Sequence, residues 1–323
     1  MMNERMQYRT LGRTGLNVSL LGLGSGGASR LGQRYNLSTP ETERLVKHAL
    51  DAGVNLIDTA PTYGDSETLL GQALGGVPRD QYVLCTKFQP FASGDLLPPS
   101  DLRSSLEHSL RELRTDFVDV FYLHGIGAAR YAAVRDHFVP ELLAAQQRGL
   151  IRHIGITEQY QSDHLHEMAP RAIHDGAFDV IMVGFNLLSP SAVTTVLPLA
   201  SEHQIGIVVM CAVRSVLVNP TAVQACVREW EQAGLLQPGA VQPEAPLNWL
   251  LDDQTPSVAD AAYKFAAAHP AVGSVLTGTA SLDHFDANLR AILGPPLAQA
   301  KVQRVQDVFG PVRRNVQPER VAR

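Results

Sequence analysis

The chain has 323 residues and a formal net charge of −5, a length that suits two ordinary domains or one barrel of roughly 250 residues or more. The balance of charge leaves no electrostatic footprint for nucleic acid or an anionic membrane. Met1-Met-Asn-Glu-Arg-Met-Gln-Tyr8 lacks the apolar core of a secretory signal, and no apolar run approaches the ~18 residues of a membrane span.

Residues 8–16 read as a short hairpin with a Gly-containing turn. The apolar run Val18–Leu23 follows as a strand. Thr39 reads as a helix N-cap, with Pro40 at the first helical position and Glu41 and Glu43 in the first turn. Leu45, Val46, Ala49 and Leu50 then keep helical spacing. The alternation repeats as strand 54–58 with helix 65–75, strand 82–87 with helix 100–113 capped by Ser100, and strand 117–123 with helix 137–149. It continues as strand 151–156 with helix 162–175, strand 179–183 with helix 189–203, strand 205–211 with helix 219–233, and strand 272–276 with helix 281–293. Residues 234–256, rich in Gly, Pro and Gln, read as a long loop of the functional or lid-like kind, ahead of an inserted helix over 257–268. After Pro295 comes a short helical pattern, then an Arg- and Pro-containing tail expected to fray.

Eight strand-then-helix units at a period of about 30–40 residues predict repeated βαβ construction. The strands are continuous apolar runs, as expected when both faces are buried. Eight such units close a barrel, whereas an open doubly wound sheet usually has about six strands. The expectation is therefore a single-domain (β/α)8 barrel over residues 1–323, with an N-terminal hairpin and an extra C-terminal helical segment. Cys85, Cys211 and Cys226 are few and far apart, and Cys85 and Cys211 lie in apolar runs. They read as buried thiols in a reducing, cytoplasmic compartment rather than a disulfide framework.

Three of the apolar runs end on an ionisable residue: Asp58, Lys87 and His124. Tyr63 follows in the loop after the first of them. The C-terminal strand ends of such a barrel converge on one mouth, so all four would share a cavity. A phenol titrates near pH ~10 and is a poor base at neutral pH. An adjacent ammonium, Lys87, lowers that value, and Asp58 can supply the counter-charge a buried lysine needs. His124 can donate to a substrate oxygen. Together they can hand a proton to a carbonyl oxygen or take one from an alcohol. That chemistry needs a hydride partner, which implies a nicotinamide cofactor. Each residue also has an ordinary structural reading: Asp58 as a turn cap, Tyr63 as a packed turn aromatic, Lys87 as a solvated strand end, His124 as a satisfied structural histidine. Their joint occurrence favours the chemical reading. The chain has only four lysines, which weighs further against a merely solvated Lys87.

The stretch Asp58-Thr-Ala-Pro-Thr-Tyr63-Gly-Asp-Ser-Glu-Thr-Leu-Leu-Gly-Gln-Ala-Leu74 resembles the signature of the aldo-keto reductase family. Thr86-Lys87, Tyr122-Leu-His124 and Gly149-Leu-Ile-Arg-His-Ile-Gly-Ile156 match it too, and the likeness covers roughly residues 8–295. The resemblance implies a barrel that binds NAD(P) in an extended pose without a Rossmann domain. It implies Tyr63 as general acid/base, Lys87 and Asp58 tuning it, and His124 orienting the carbonyl.

On the cofactor side, residues 275–288 resemble the family's adenosine-phosphate segment. Gly278 and Thr279 fall where backbone and hydroxyl would meet phosphate at a helix N-terminus, and Asn288 matches the Asn that meets adenine. NADP-preferring members usually carry a basic residue where this chain has Ala280, or one turn later where it has His284. Without it the 2′-phosphate loses a charge-assisted partner, so NAD is expected over NADP. Around the nicotinamide the chain departs from the family: the Ser-Asn pair is Thr157-Glu158, a Gln is Met182, and the stacking aromatic is Met210. Asn186 keeps its match.

Some signals are set aside. Gly22-Leu-Gly24-Ser-Gly-Gly27 fits the dinucleotide fingerprint Gly-x-Gly-x-x-Gly, yet a polar loop rather than a helix follows it. No Tyr is followed four residues later by Lys, as short-chain dehydrogenases require. His164 and His166 read as solvated, no metal-ligand cluster appears, and Arg313-Arg314 is too short for a nucleic-acid patch. The expected function is an NAD(P)-dependent reductase or dehydrogenase acting on a small carbonyl or alcohol, sugars included. Its substrate pocket is expected from the loops after His124 and around 234–256. The alternative is a weakly catalytic, cofactor-sensing regulatory subunit on the same barrel.

Overall fold

The computed structural model describes residues 5–312. Strands β1 (Tyr8–Thr10) and β2 (Asn17–Ser19) pair antiparallel around a 3-10 turn at Gly12–Thr14. The run expected as one strand over 18–23 is therefore divided. Residues 17–19 complete the hairpin, and β3 (Leu21–Gly24) is the first barrel strand. Ser19 makes the corner: its N–H donates to Asn55 Oδ1 and its hydroxyl to the Leu21 carbonyl, each at 2.7 Å.

Strands and helices then alternate. Helix α1 (Thr39–Asp51) leads to β4 (Leu56–Asp58), α2 (Ser66–Ala73) to β5 (Val83–Phe88). A small hairpin, β6 (Phe91–Ala92) and β7 (Asp95–Leu96), precedes α3 (Pro99–Glu112). There follow β8 (Val118–Ile126), α4 (Tyr131–Gln147), β9 (Ile151–Glu158), α5 (Met168–Asp175), β10 (Val180–Gly184), α6 (Ala192–Thr195), α7 (Leu197–Glu202) and β11 (Gly206–Met210). The chain ends its described part with α8 (Pro220–Gln232), α9 (Val258–Ala267), β12 (Val272–Thr277), α10 (Leu282–Leu293) and α11 (Gln299–Phe309). Eight strands close in the order β3-β4-β5-β8-β9-β10-β11-β12, with β12 pairing back to β3 and every ladder parallel. This is the (β/α)8 barrel expected from the sequence, with its hairpin and its C-terminal helix.

Several helix starts differ from the sequence expectation. The cap of α1 is Ser38, not Thr39: the Glu41 carboxylate accepts from its N–H at 2.8 Å and its hydroxyl at 2.7 Å. Ser100 lies inside the first turn of α3, which opens at Pro99. Helix α4 begins at Tyr131 rather than 137 and contains Pro140. Helix α5 begins at Met168 rather than 162, where the Asp163 carboxylate accepts from the N–H groups of Glu167 and Met168. The expected helix over 189–203 is two short ones, the second opening at Leu197 with Pro198, which has no N–H to continue the first, in its first turn. Residues 234–256 hold only a 3-10 turn at Asn248–Leu250. Their Leu236, Val241, Leu247 and Leu250 are nevertheless buried in the outer core. Arg313-Arg314 and the tail lie outside the described residues.

Successive side chains on a strand point to opposite faces. Leu23, Ile57, Leu84, Phe121, Leu123, Ile156 and Val183 pack outward against the helices. Leu56, Cys85, Val120, Tyr122, Val180, Met182 and Val208 fill the barrel interior, with Leu11 and Val18 of the hairpin below them. Counting two residues further along three strands leads from Leu56 to Asp58, from Cys85 to Lys87 and from Tyr122 to His124. The same parity that packs the interior thus delivers all three groups to its C-terminal mouth.

Candidate active site

Asp58 and Lys87 form a buried ion pair; the lysine side chain is only 1 % exposed. Lys87 Nζ donates to both carboxylate oxygens at 2.6 and 2.7 Å and to the Thr59 carbonyl at 2.7 Å. Three acceptors satisfy three ammonium protons. Burial pulls the Lys87 pKa down, but Asp58, Tyr63 and Cys85 outweigh it, and the net direction is upward. The amine is held as a cation. Burial pushes the Asp58 pKa up against the opposing pull of Lys87.

Tyr63 and His124 face this pair. Lys87 Nζ lies 5.0 Å from the Tyr63 ring centroid. The Tyr63 hydroxyl lies 3.5 Å from His124 Nε2, with the two rings edge-on at 86°. The structure thus brings together all four groups singled out in the sequence. Lys87 pulls the phenol pKa down as expected. Burial acts the other way more strongly and Asp58 adds to it, so the net direction is up. Tyr63 is held protonated, as an acid. Burial, helped by the Lys87 charge, lowers His124 to about 3 and keeps its imidazole neutral.

On the outer face of β5, the Thr86 hydroxyl donates to Glu67 Oε1 at 2.6 Å and the Ser109 hydroxyl to Glu67 Oε2 at 3.2 Å. Glu67 thereby pins α2 and α3 to the strand that carries Lys87. Two clefts flank Gln89. One, of about 430 Å³, is reached by Lys87 and His124 and lined by Thr62, Phe88 and Ser104. The other, of about 610 Å³, starts at Gly125 and is lined by Phe91, Arg130, Gln159 and His164. Neither is lined by residues 234–256.

The cofactor-side candidates occupy the rest of the mouth. Thr157 Oγ1 accepts from the Gly125 N–H at 2.8 Å. Met182 is buried in the barrel interior and Met210 is half-buried at the end of β11. Gly278 is exposed, Thr279 buried and Ala280 half-buried just before α10, whose Ser281 cap accepts from the exposed His284 N–H at 3.3 Å. Asn288 Nδ2 donates to Thr277 Oγ1 at 2.9 Å. An ideal Cβ on Gly278 would lie 3.9 Å from Ser29 Oγ. That hydroxyl and the Ser25 hydroxyl are buried without a partner.

Glu158 behaves differently from its neighbours. Its parity is outward, and its oxygens lie 2.9 and 3.0 Å from His166 Nδ1 and accept from the Gly184 N–H at 3.2 Å. Burial raises its pKa, against the pull of His166 and Gly184. His166 is therefore not solvated, as expected from the sequence, but fully buried. The carboxylate of Glu158, eight residues back, is what draws it in.

Two residues at the mouth escaped the sequence reading. Gly26 abuts the Tyr63 ring: an ideal Cβ there would lie 2.7 Å from Cε2 and Cζ. The run of glycines that spans the end of β3, set aside as a false dinucleotide motif, was its signal. Gln33 hydrogen-bonds the turn that carries Tyr63, and nothing in the sequence marked it. Among the described residues no helix is long and apolar enough to cross a membrane, and no group of three or more His, Cys, Asp or Glu could hold a metal ion.

Comparison with known proteins identifies the family. The model of the Aldo/keto reductase family matches residues 21–309. The chain is 26 % identical to L-galactose dehydrogenase of Arabidopsis thaliana over 320 residues, 96 % of each chain. It is 33 % identical to D-arabinose 1-dehydrogenase of Saccharomyces cerevisiae over 139 residues, 41 % of each. Among solved structures it resembles the aldo-keto reductase AKR11C1 of Bacillus halodurans in its holo form. There the TM-score is 0.71 and the identity 25 %, over 94 % of this chain and 96 % of that one. The chain belongs to the aldo/keto reductase family of oxidoreductases.

Proposed function

We propose that the protein transfers a hydride between NAD(P) and a small carbonyl or alcohol substrate, with Tyr63 as general acid/base. The observation that carries this reading is the convergence of a neutral phenol, a neutral imidazole and a buried Lys87–Asp58 pair at one barrel mouth. His124 Nε2 and the Tyr63 hydroxyl would both address the substrate oxygen. Lys87 stabilises the phenolate left when Tyr63 gives up its proton, and Asp58 keeps Lys87 charged. A bound nicotinamide would supply or accept the hydride. Thr157, Met182 and Met210 would surround its ring, and Gly278, Thr279 and Asn288 its adenosine-phosphate end. The absence of a basic side chain at Ala280 supports NAD over NADP. Two relatives, an L-galactose dehydrogenase and a D-arabinose 1-dehydrogenase, support aldoses as the substrates to try first.

One observation favours a second reading, a weakly catalytic cofactor-sensing subunit. The Glu158 carboxylate, offered as a nicotinamide contact, is already engaged by His166 and Gly184. The readings part on one experiment. Purified protein is titrated with NAD(H) and NADP(H) by fluorescence, then assayed on aldoses and simple aldehydes beside Tyr63→Phe. Turnover by the wild type, its loss in Tyr63→Phe and unchanged cofactor affinity support the enzyme. Cofactor binding by both proteins with turnover by neither supports the subunit.

A further inference from the structure

Tyr63 is held by more than its own turn. The loop between β3 and α1 crosses the mouth, and one of its side chains grips residues 63–66. Gln33 Nε2 donates to the Tyr63 carbonyl at 3.0 Å and lies 2.9 Å from Ser66 Oγ, while Gln33 Oε1 accepts from the Asp65 N–H at 2.9 Å. The amide therefore bonds the turn on both sides of Gly64. An ideal Cβ on Gly64 would lie 2.5 Å from Gln33 Oε1, and Gly64 itself has φ +69°. The amide oxygen lies against Gly64, the one position of this turn with no side chain in the way.

The same loop backs the ring. Gly26 lies against the phenol at the carbon that bears the hydroxyl, where any side chain would displace it. Gln33 Nε2 also donates to the Arg30 carbonyl at 2.8 Å, which ties the grip to its own loop. That loop holds Arg30, Leu31 and Asn36 at φ +44°, +53° and +54°, a region that residues with a Cβ rarely adopt. Strain of this kind persists only where surrounding contacts over-determine it.

We infer that Gln33 is a positioning residue for Tyr63, acting through the backbone of residues 63–65 while the Gly26 backbone fixes the face of the ring. The inference rests on the reading of Tyr63 as acid/base. Gln33 touches no reacting atom. Without its amide the turn is free to rotate about Gly64, and the phenol drifts from His124 Nε2. A misplacement of about 1 Å at a reacting group costs on the order of 100-fold in rate.

The test compares wild type, Gln33→Ala and Tyr63→Phe, assayed on one aldehyde with saturating cofactor. The Tyr63 phenol is titrated in parallel by ultraviolet difference absorbance, with Tyr63→Phe as the blank, which needs no substrate. In Gln33→Ala, kcat is expected to fall about 10- to 100-fold. Cofactor affinity and the thermal midpoint should stay near wild type. The Tyr63 titration should move down towards an ordinary phenol, because a loosened turn admits water to a group whose pKa burial had raised. A merely structural glutamine would not move that titration. Wild-type kcat and an unmoved titration in folded Gln33→Ala overturn the inference. If Gln33→Ala does not fold, Gln33→Glu, which keeps the acceptor for Asp65 and loses the donor to Tyr63, answers the same question by the same readouts. Full turnover by Tyr63→Phe would strike down the acid/base reading itself, whereas an inactive Tyr63→Phe beside an unimpaired Gln33→Ala removes only the role of Gln33.

Discussion

Lys87 and Asp58 hold each other in a place where neither charge could stand alone. Removing one partner of a buried, hydrogen-bonded pair costs about 3–5 kcal/mol, because the other stays buried and uncompensated. Lys87→Met should therefore lower stability by that amount in urea denaturation and abolish turnover. Adding Asp58→Asn should restore much of the stability and none of the activity. Additive losses in the double variant would mean that the two residues do not act as a pair. On the proposed reading, the pH dependence follows from the two groups that would face the substrate. His124 titrates at about 3 in the folded protein, so kcat/KM for reduction should show no step near pH 6.5. Tyr63 is held above its ordinary value, so the acid persists through neutrality and the rate should stay level from about pH 5 to 9 before falling. Alcohol oxidation needs the phenolate and should rise with pH over the same span. An inflection near 6.5 that vanishes in His124→Asn would show that the imidazole titrates during turnover. The depressed His124 pKa also acts on stability. The unfolded chain takes up a proton below about 6.5 that the folded one refuses until about 3, so this residue favours unfolding progressively as pH falls between those values.

At the scale of strands and helices, what could be read in the sequence was whatever the chain encodes locally. The apolar runs of β4, β5 and β8 gave both the strands and the parity that aims Asp58, Lys87 and His124 inward. The helix starts of α1 and α5 were misplaced because their caps come from side chains outside the periodic pattern. Glu41 reaches back to Ser38, and Asp163 reaches forward to Glu167 and Met168. Glu67 was visible as a letter of the family signature, yet its work depends on Thr86 and Ser109, 19 and 42 residues away. Gln33 and the Tyr63 turn meet across 30 residues with no periodicity to announce them. His166 was misread because the helix expected over 162–175 starts only at Met168, and the Glu158 carboxylate that buries the ring lies on the preceding strand. Local pattern fixes an element and its facing, whereas the contacts that orient a side chain are long-range and leave no trace in spacing.

Across the whole molecule, the hairpin and the proposed active site sit at opposite ends of the barrel. The mouth carries the ionisable groups and the clefts. The far end is closed by the hairpin, whose Leu11 is fully buried in the interior cluster. Ideal Cβ atoms on Gly206 and Gly273 would lie 2.6 and 2.7 Å from the Leu11 side chain, so two strands lack side chains where this one enters. Arg9 fastens the hairpin from outside, donating to the carbonyls of Ala267, His269 and Val272 at 2.8–3.1 Å. The backbone N–H of Arg13 donates to the Gln204 carbonyl at 2.6 Å. In barrels of this kind the N-terminal end serves stability and the C-terminal end function. Leu11→Ala should accordingly cost about 2–5 kcal/mol, the range for a buried leucine that leaves a cavity. It should leave cofactor affinity and kcat at their wild-type values below the lowered unfolding temperature. A calorimetric or denaturant midpoint measured beside steady-state kinetics checks both halves. If kcat fell in step with stability while the protein remained folded, the hairpin would be coupled to the mouth through the stacked interior layers from Leu56 and Tyr122 to Lys87. The two ends would then no longer be separable.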